Sequence, residues 1–133
     1  MDRETIEQMP ADPETDRLVA ELVMGWHWGQ AEDGVATWTR TDSGIAWAVA
    51  EPTFSPSTDI ADAWMVVEKM KESDWLFAVG NRATGEDHWY CEYDLMRDAV
   101  NREPGEDAPF VTASTAPLAI CRAALLAHIG NAD

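Results

Sequence analysis

Trp26-His27-Trp28 places an imidazole between two indoles, directly after Met24-Gly25. Flat rings around a hydrogen-bonding ring are what a slot for a nucleobase or another planar ligand requires, because stacking on an aromatic side chain contributes roughly 1–3 kcal/mol per base. Ser55-Pro56-Ser57-Thr58-Asp59 is the second such signal. Its hydroxyls precede a helical pattern, and the free N–H groups at a helix start can hold an anion. Trp26, His27, Trp28, Ser57 and Thr58 are therefore the candidate ligand-binding residues, a base slot and a phosphate cradle that act together only if the fold joins them. Blander chemistry accounts for the same residues. Two indoles can pack a helix end onto a sheet, and Ser57 or Thr58 can simply cap the helix that follows. Asp59 counts against a phosphate unless its carboxylate points away.

Catalytic chemistry leaves weaker traces. His27, His88 and His128 share no ligand spacing such as HxxxH or HExxH, so no metal is expected. Cys91 and Cys121 form no CxxC pair, and Cys91 shares one side of an alternating run with Trp89, which suits inert buried thiols. The Ser-Thr run lacks the lysine of a P-loop. Gly80 and Gly85 bracket a turn without forming GxGxxG, and no Ser-His-Asp order can be argued. Arg82 and Arg122 read as surface residues, Arg122 lying off the apolar stripe of the last helix. No catalytic residue and no cofactor are expected.

Charge narrows the partners. Among 133 residues, 25 acids face 9 bases, a formal net charge of −16. That balance repels phosphate backbones, so direct nucleic-acid binding is disfavoured. The acids run along the whole chain, which fits a solvated acidic surface. Two other readings stay open. The only lysines are Lys69 and Lys71, as in a salt-adapted host, and a compact polyanion can mimic nucleic acid to inhibit a host DNA- or RNA-binding protein. With 46% hydrophobic residues the chain is expected to fold, as one domain over 1–133. Met1-Asp2-Arg3-Glu4 is charged with no apolar stretch after it, and nothing approaches a membrane span, so a cytoplasmic protein is expected. Seven tryptophans remain, at 26, 28, 38, 47, 64, 75 and 89. Each indole buries roughly 150–250 Å² and seeks a partner for its N–H, so some should be exposed at an interface. A two-fold homodimer is the expected assembly, with the hairpin carrying Trp38 and Trp47 as the chosen face.

The elements that must position these residues follow from period and punctuation. The first ten residues suggest a helical turn before Pro10. Asp12 as N-cap, Pro13 at the first helical position and Leu18, Val19, Leu22 and Val23 predict a helix that Gly25 closes in a left-handed conformation. Residues 26–34 read as a loop. Residues 37–40 and 45–49 flank Thr41-Asp42-Ser43-Gly44 and predict a hairpin. Ile60, Ala63, Trp64, Val67 and Met70 form the apolar stripe of a second helix capped by Ser57 or Thr58. Residues 75–79 and 87–93 read as strands. Residues 94–109 read as an irregular excursion, and 110–113 as an edge strand. The last helix has Ser114 or Thr115 as cap, a face of Leu118, Cys121, Ala124, Leu125 and His128, and its end at Gly130.

Four strings, in order and spanning nearly the whole chain, resemble the phage ABA sandwich domain family: Leu18 to Trp26, Ser55 to Met70, Trp89-Tyr90-Cys91 and Thr115 to Leu125. The resemblance implies an α+β fold, with an antiparallel or mixed sheet of about four to five strands sandwiched between helical layers, and an origin in a phage or prophage. It carries no activity and hence no catalytic residue. The chain departs from the family in its heavier acidity and in the excursion at 94–109. The expected function is that of a non-enzymatic, phage-encoded binding protein of the host cytoplasm, of a counter-defence kind, taking a nucleotide-type ligand or a host protein. A nucleic-acid mimic and a small hydrolase with an unrecognised carboxylate pair are the alternatives.

Overall fold

Asp12 caps the second helix as its side chain predicts: Oδ1 accepts the Thr15 N–H at 2.8 Å while Pro13 takes the first helical position. In the computed structural model of the chain, the described residues are 1–30, 36–42, 45–50, 54–82 and 84–131, those from 27 to 50 by backbone alone. The elements run α1 (Arg3–Glu7), α2 (Pro13–Leu18) continued by a π-helical turn (Val19–Val23), β1 (His27–Gln30), β2 (Ala36–Asp42), β3 (Ile45–Ala50), α3 (Ile60–Lys71), β4 (Trp75–Asn81), β5 (Trp89–Leu95), α4 (Met96–Ala99), β6 (Phe110–Ala113) and α5 (Ala116–Asn131). Gly25, at φ 74°, ends the π-helical turn, and the Trp26 N–H reaches back to the Ala20 carbonyl at 2.9 Å. That closure spans one residue more than the Schellman bond that ends an α-helix, in keeping with the wider π-helical turn before it, and it places glycine at the left-handed position.

The strands form two antiparallel sheets of three, β1-β2-β3 and β4-β5-β6, where the sequence suggests one sheet of four to five. Part of the difference is β1. Residues 27–30, read as loop, pair with β2 through His27 opposite Thr39 and Gln30 opposite Ala36. The β2–β3 hairpin forms as expected, with Trp38 opposite Val49 and Arg40 opposite Trp47, and it stays paired through Asp42 opposite Ile45. The turn residues Ser43 and Gly44 lie outside the described residues.

Helix α5 lies at the centre of the core. Residues 118–127 are buried on every side, so the apolar face expected from Leu118, Cys121 and Leu125 is in fact the whole cylinder. A helix apolar all round must be enclosed. Here sheet β4-β5-β6 covers it on one side, and α1, α3 and the π-helical turn cover the rest. Removing Ile120 or Leu125 from water contributes roughly 1.5–3 kcal/mol each. Thr115 caps α5, its Oγ1 accepting the Leu118 N–H at 3.4 Å. The helix runs through Gly130 to Asn131, past its expected end.

Arg122 corrects the sequence reading most sharply. It is buried, not at the surface, with Nε and one terminal nitrogen donating to the Met9 carbonyl at 3.1 and 2.7 Å and the other donating to Thr112 at 2.8 Å. One guanidinium thereby ties the chain after α1 to β6 through α5. Burial lowers its pKa, and carbonyl oxygens rather than a carboxylate satisfy its donors.

Candidate functional site

The start of α3 is where an anion site was expected, and carboxylates of the protein already fill it. Asp59, not Ser57 or Thr58, is the N-cap, its Oδ1 accepting the N–H groups of Ala61 and Asp62 at 2.8 and 3.1 Å. Asp62 Oδ2 accepts the Ser55 N–H at 2.8 Å, and Asp16 Oδ1, 41 residues upstream, accepts that of Ser57 at 2.7 Å. The amides a phosphate would use are thus engaged by three negative charges. Ser57 is fully buried, and Thr58 is exposed with its hydroxyl on the Ser55 carbonyl. Burial raises the Asp16 pKa, and the hydrogen bond from the Ser57 N–H works against that rise.

Trp26 and this helix start do converge, as a shared ligand site would need, but they meet as core. The Trp26 ring packs on Phe54 with centroids 4.5 Å apart and planes tilted by 53°. Trp26 is 3% exposed and Phe54 6%. Sequence spacing shows neither the depth of the pair nor the hydrogen bond between Asp16 and Ser57. The side chains of His27 and Trp28, like those of Trp38 and Trp47, lie outside the described residues.

The thiols are as inert as their surroundings predict. Burial pushes Cys91 up to about 12 and Cys121 well above an ordinary thiol, so neither is a thiolate at neutral pH. Both are free and buried. Among the described residues no three His, Cys, Asp or Glu side chains gather as a metal set. No helix of the described residues is long and apolar enough to cross a membrane.

The open surface lies around the excursion. Asp74 ends the α3–β4 turn with φ 64°, a left-handed conformation that aspartate tolerates better than most residues. Its carbonyl accepts the Met96 N–H at 2.9 Å and so binds the turn to the end of β5. A groove of about 560 Å³ results, lined by Ser73, Asp74, Leu95, Met96, Arg97 and Val100. Met96 at the start of α4 and Val100 at its C-cap, one helical turn apart, are 47% and 75% exposed. An adjoining cavity of about 440 Å³ has Asp94, Asp98 and Glu106 in its wall. The excursion is pinned: Arg102 grips buried Asp94 with two hydrogen bonds, at 2.6 and 3.1 Å, and donates to the Asp107 carbonyl at 3.2 Å. This fork is the bidentate pairing that arginine geometry favours. No local spacing marks it, although Arg102 is the single base among Asp98, Glu103, Glu106 and Asp107.

Beside this cavity, on the sheet face turned away from α5, Tyr90 lies flat over Gly80. A Cβ on Gly80 would sit 2.5 Å from the tyrosine oxygen, so any larger residue would have to displace the Tyr90 ring. Gly80 is therefore a strand residue opposite Tyr90, not one bracket of a turn. Arg82 stacks over Phe110 at 5.7 Å on the same side of the molecule.

With this geometry in place, comparison with known proteins gives the following. Residues 17–125 match the family described as the phage ABA sandwich domain. A crystal structure at 2.0 Å of a phage protein from Bacillus cereus ATCC 14579 is similar at 24% identity, over 88% of this chain and 90% of that one, with a TM-score of 0.54. At that identity the likeness speaks for the fold alone. No curated protein matches the chain.

Proposed function

The chain belongs to the phage ABA sandwich domain family, and we propose that it acts as a non-catalytic binding protein of phage origin that engages a basic host protein in the cytoplasm. The groove beside α4 carries this reading. Met96 and Val100 stand exposed in a groove that Asp74 and Arg97 also line, and Asp98 and Glu106 stand in the wall of the adjoining cavity. Apolar anchors next to an acidic cavity wall suit a partner segment with apolar tips and flanking lysine or arginine, and the net charge of −16 would steer such a partner inward. The nucleotide reading is weaker, because its aromatic half rests on a buried Trp26 and its phosphate half on amides that carboxylates occupy. A nucleic-acid mimic is the special case in which that basic partner is a DNA- or RNA-binding protein. A counter-defence role would follow from the partner's identity.

A photo-crosslinking residue at position 100, installed during expression in the host, tests this. A basic host protein should be captured, and Val100→Asp and Met96→Asp should each weaken its binding at least tenfold. Raising salt should weaken it as well, through screening over roughly 8 Å at physiological ionic strength. Heat release of bound nucleotide from the purified protein, with no capture at position 100, would replace this reading with the small-ligand one.

A further inference from the structure

Sheet β4-β5-β6 has two edges, and they are treated differently. The β6 edge is four residues long, follows Pro109, and has Arg3, Glu7 and Gln8 of the α1 region beside Phe110, Val111 and Thr112. Those are the usual means of blocking a further strand: shortness, proline, nearby charge and a cover. The β4 edge is neither short nor broken by proline or charge within the strand. Trp75-Leu76-Phe77-Ala78-Val79-Gly80-Asn81 runs seven residues with no charge and no proline, in a chain where 26% of residues are charged. Among the described residues no strand pairs with its outer side. Its core-side residues Trp75, Phe77 and Val79 are only half-buried, and Leu76 on the other face is 42% exposed.

Helix α3 packs against this same strand and carries the second observation. Ile60, Trp64, Val67 and Lys71 follow one another at helical spacing, and Asp59 stands at the head of the row. The sequence places Ile60 and Trp64 on the buried stripe, but Ala63, Val66 and Met70 hold that position, leaving Ile60 54% and Trp64 52% exposed. The flank so formed is acidic at one end, apolar along its middle and basic at the other. Both lysines of the chain lie in the last turn of this helix. Such a row is complementary to its own antiparallel copy.

We propose that the protein is a two-fold homodimer in which β4 pairs antiparallel with β4 of a second copy and the Asp59–Lys71 flank of α3 packs on its counterpart. A two-fold axis normal to the sheet at Ala78, the middle of β4, overlaps all seven residues and sets Phe77 beside the partner's Val79. Two three-stranded sheets become one of six strands. The same axis runs the two α3 helices antiparallel, so Lys71 meets the partner's Asp59 and Trp64 lies against the partner's Val67. Charge complementarity, an uncharged ladder and burial of Trp64 all select a second copy as the occupant of this edge.

Light scattering on the full chain at micromolar concentration should give about twice the 14.7 kDa of one chain. Ala78 is exposed, so Ala78→Lys and Ala78→Glu should each retain the wild-type circular dichroism yet run as monomers, since like charges then meet on the axis. Mixed in equal amounts, the two variants should restore the dimer mass. Lys71→Glu should raise the dimer dissociation constant at least tenfold without touching the strand. A wild-type mass of one chain at roughly 100 µM, which is far above a dissociation constant worth about 8 kcal/mol, would overturn the proposal and leave the edge to a strand of another protein. A dimer unaffected by either charged Ala78 variant, or a mixture that stays monomeric, would overturn it equally.

Discussion

Asp16 shows how one buried carboxylate can serve the fold and also weaken it. It is 8% exposed and accepts the Ser57 N–H, so it joins α2 to the approach of α3 across 41 residues of chain. Burial raises its pKa above the unfolded value. The folded state is then the tighter proton binder, and stability attributable to this residue rises as pH falls through the raised pKa, levelling off below 3.8. At neutral pH its charge is a cost. Asp16→Asn keeps the acceptor and removes the charge, so urea unfolding at pH 7 should show no loss of stability. The wild-type-minus-variant difference should shift in favour of the wild type as pH is lowered toward 4. Asp16→Ala leaves the Ser57 N–H without an acceptor and should cost about 1–3 kcal/mol at pH 7.

Among the elements, β4 and β5 depend on one missing methyl. Gly80 lies opposite Tyr90, whose ring occupies the volume a Cβ would need, with the hydroxyl oxygen and two ring carbons between 2.5 and 2.9 Å from it. Gly80→Val should therefore displace the ring or bend the strand, lowering stability by about 1–3 kcal/mol as overpacking does. Gly80→Val in a Tyr90→Ala background should cost much less, and that double-mutant cycle by thermal unfolding separates the clash from ordinary strand propensity. Gly25 owes its identity to a different cause, its left-handed φ, with nothing within 4 Å of an added Cβ.

Across the whole molecule, repulsion among 25 acids works against compactness. Ion pairs such as Arg3 with Glu7, Lys69 with Glu72 and Arg102 with Asp94 and Glu106 draw on 9 bases against 25 acids, so the acids outnumber their basic partners. Thermal stability should accordingly rise between about 10 mM and about 150 mM sodium chloride, as the screening length falls from roughly 30 to roughly 8 Å. A melting temperature that falls over that range would mean the acids are paired more fully than these bridges indicate. Salt thus has opposite expected signs for the fold and for capture of a basic partner.

Local signals in the chain settled a great deal of this. Asp12-Pro13, Gly25 and Thr115 act within a few residues of themselves, and a cap or a left-handed turn needs nothing more distant, so those helix ends were legible. The β2–β3 hairpin, the buried thiols and the family were legible for the same reason, resting on period, composition and short strings. Contacts made across long stretches of chain were not. Asp16 beneath Ser57, Arg122 on the carbonyl of Met9 and Trp26 against Phe54 depend on which helix flank meets which neighbour. Periodicity shows that α3 has an apolar side, but several residues lie near its boundary. Only packing against α5 and β4 decided that Ala63, Val66 and Met70 go in while Ile60 and Trp64 stay out. The same step bears on the candidate ligand residues Trp26, Ser57 and Thr58, while the side chains of His27 and Trp28 lie outside the described residues. Their types suited a pocket, but tertiary structure buried Trp26 and Ser57 and set carboxylates on the amides, because satisfying those donors from within the chain needs no ligand.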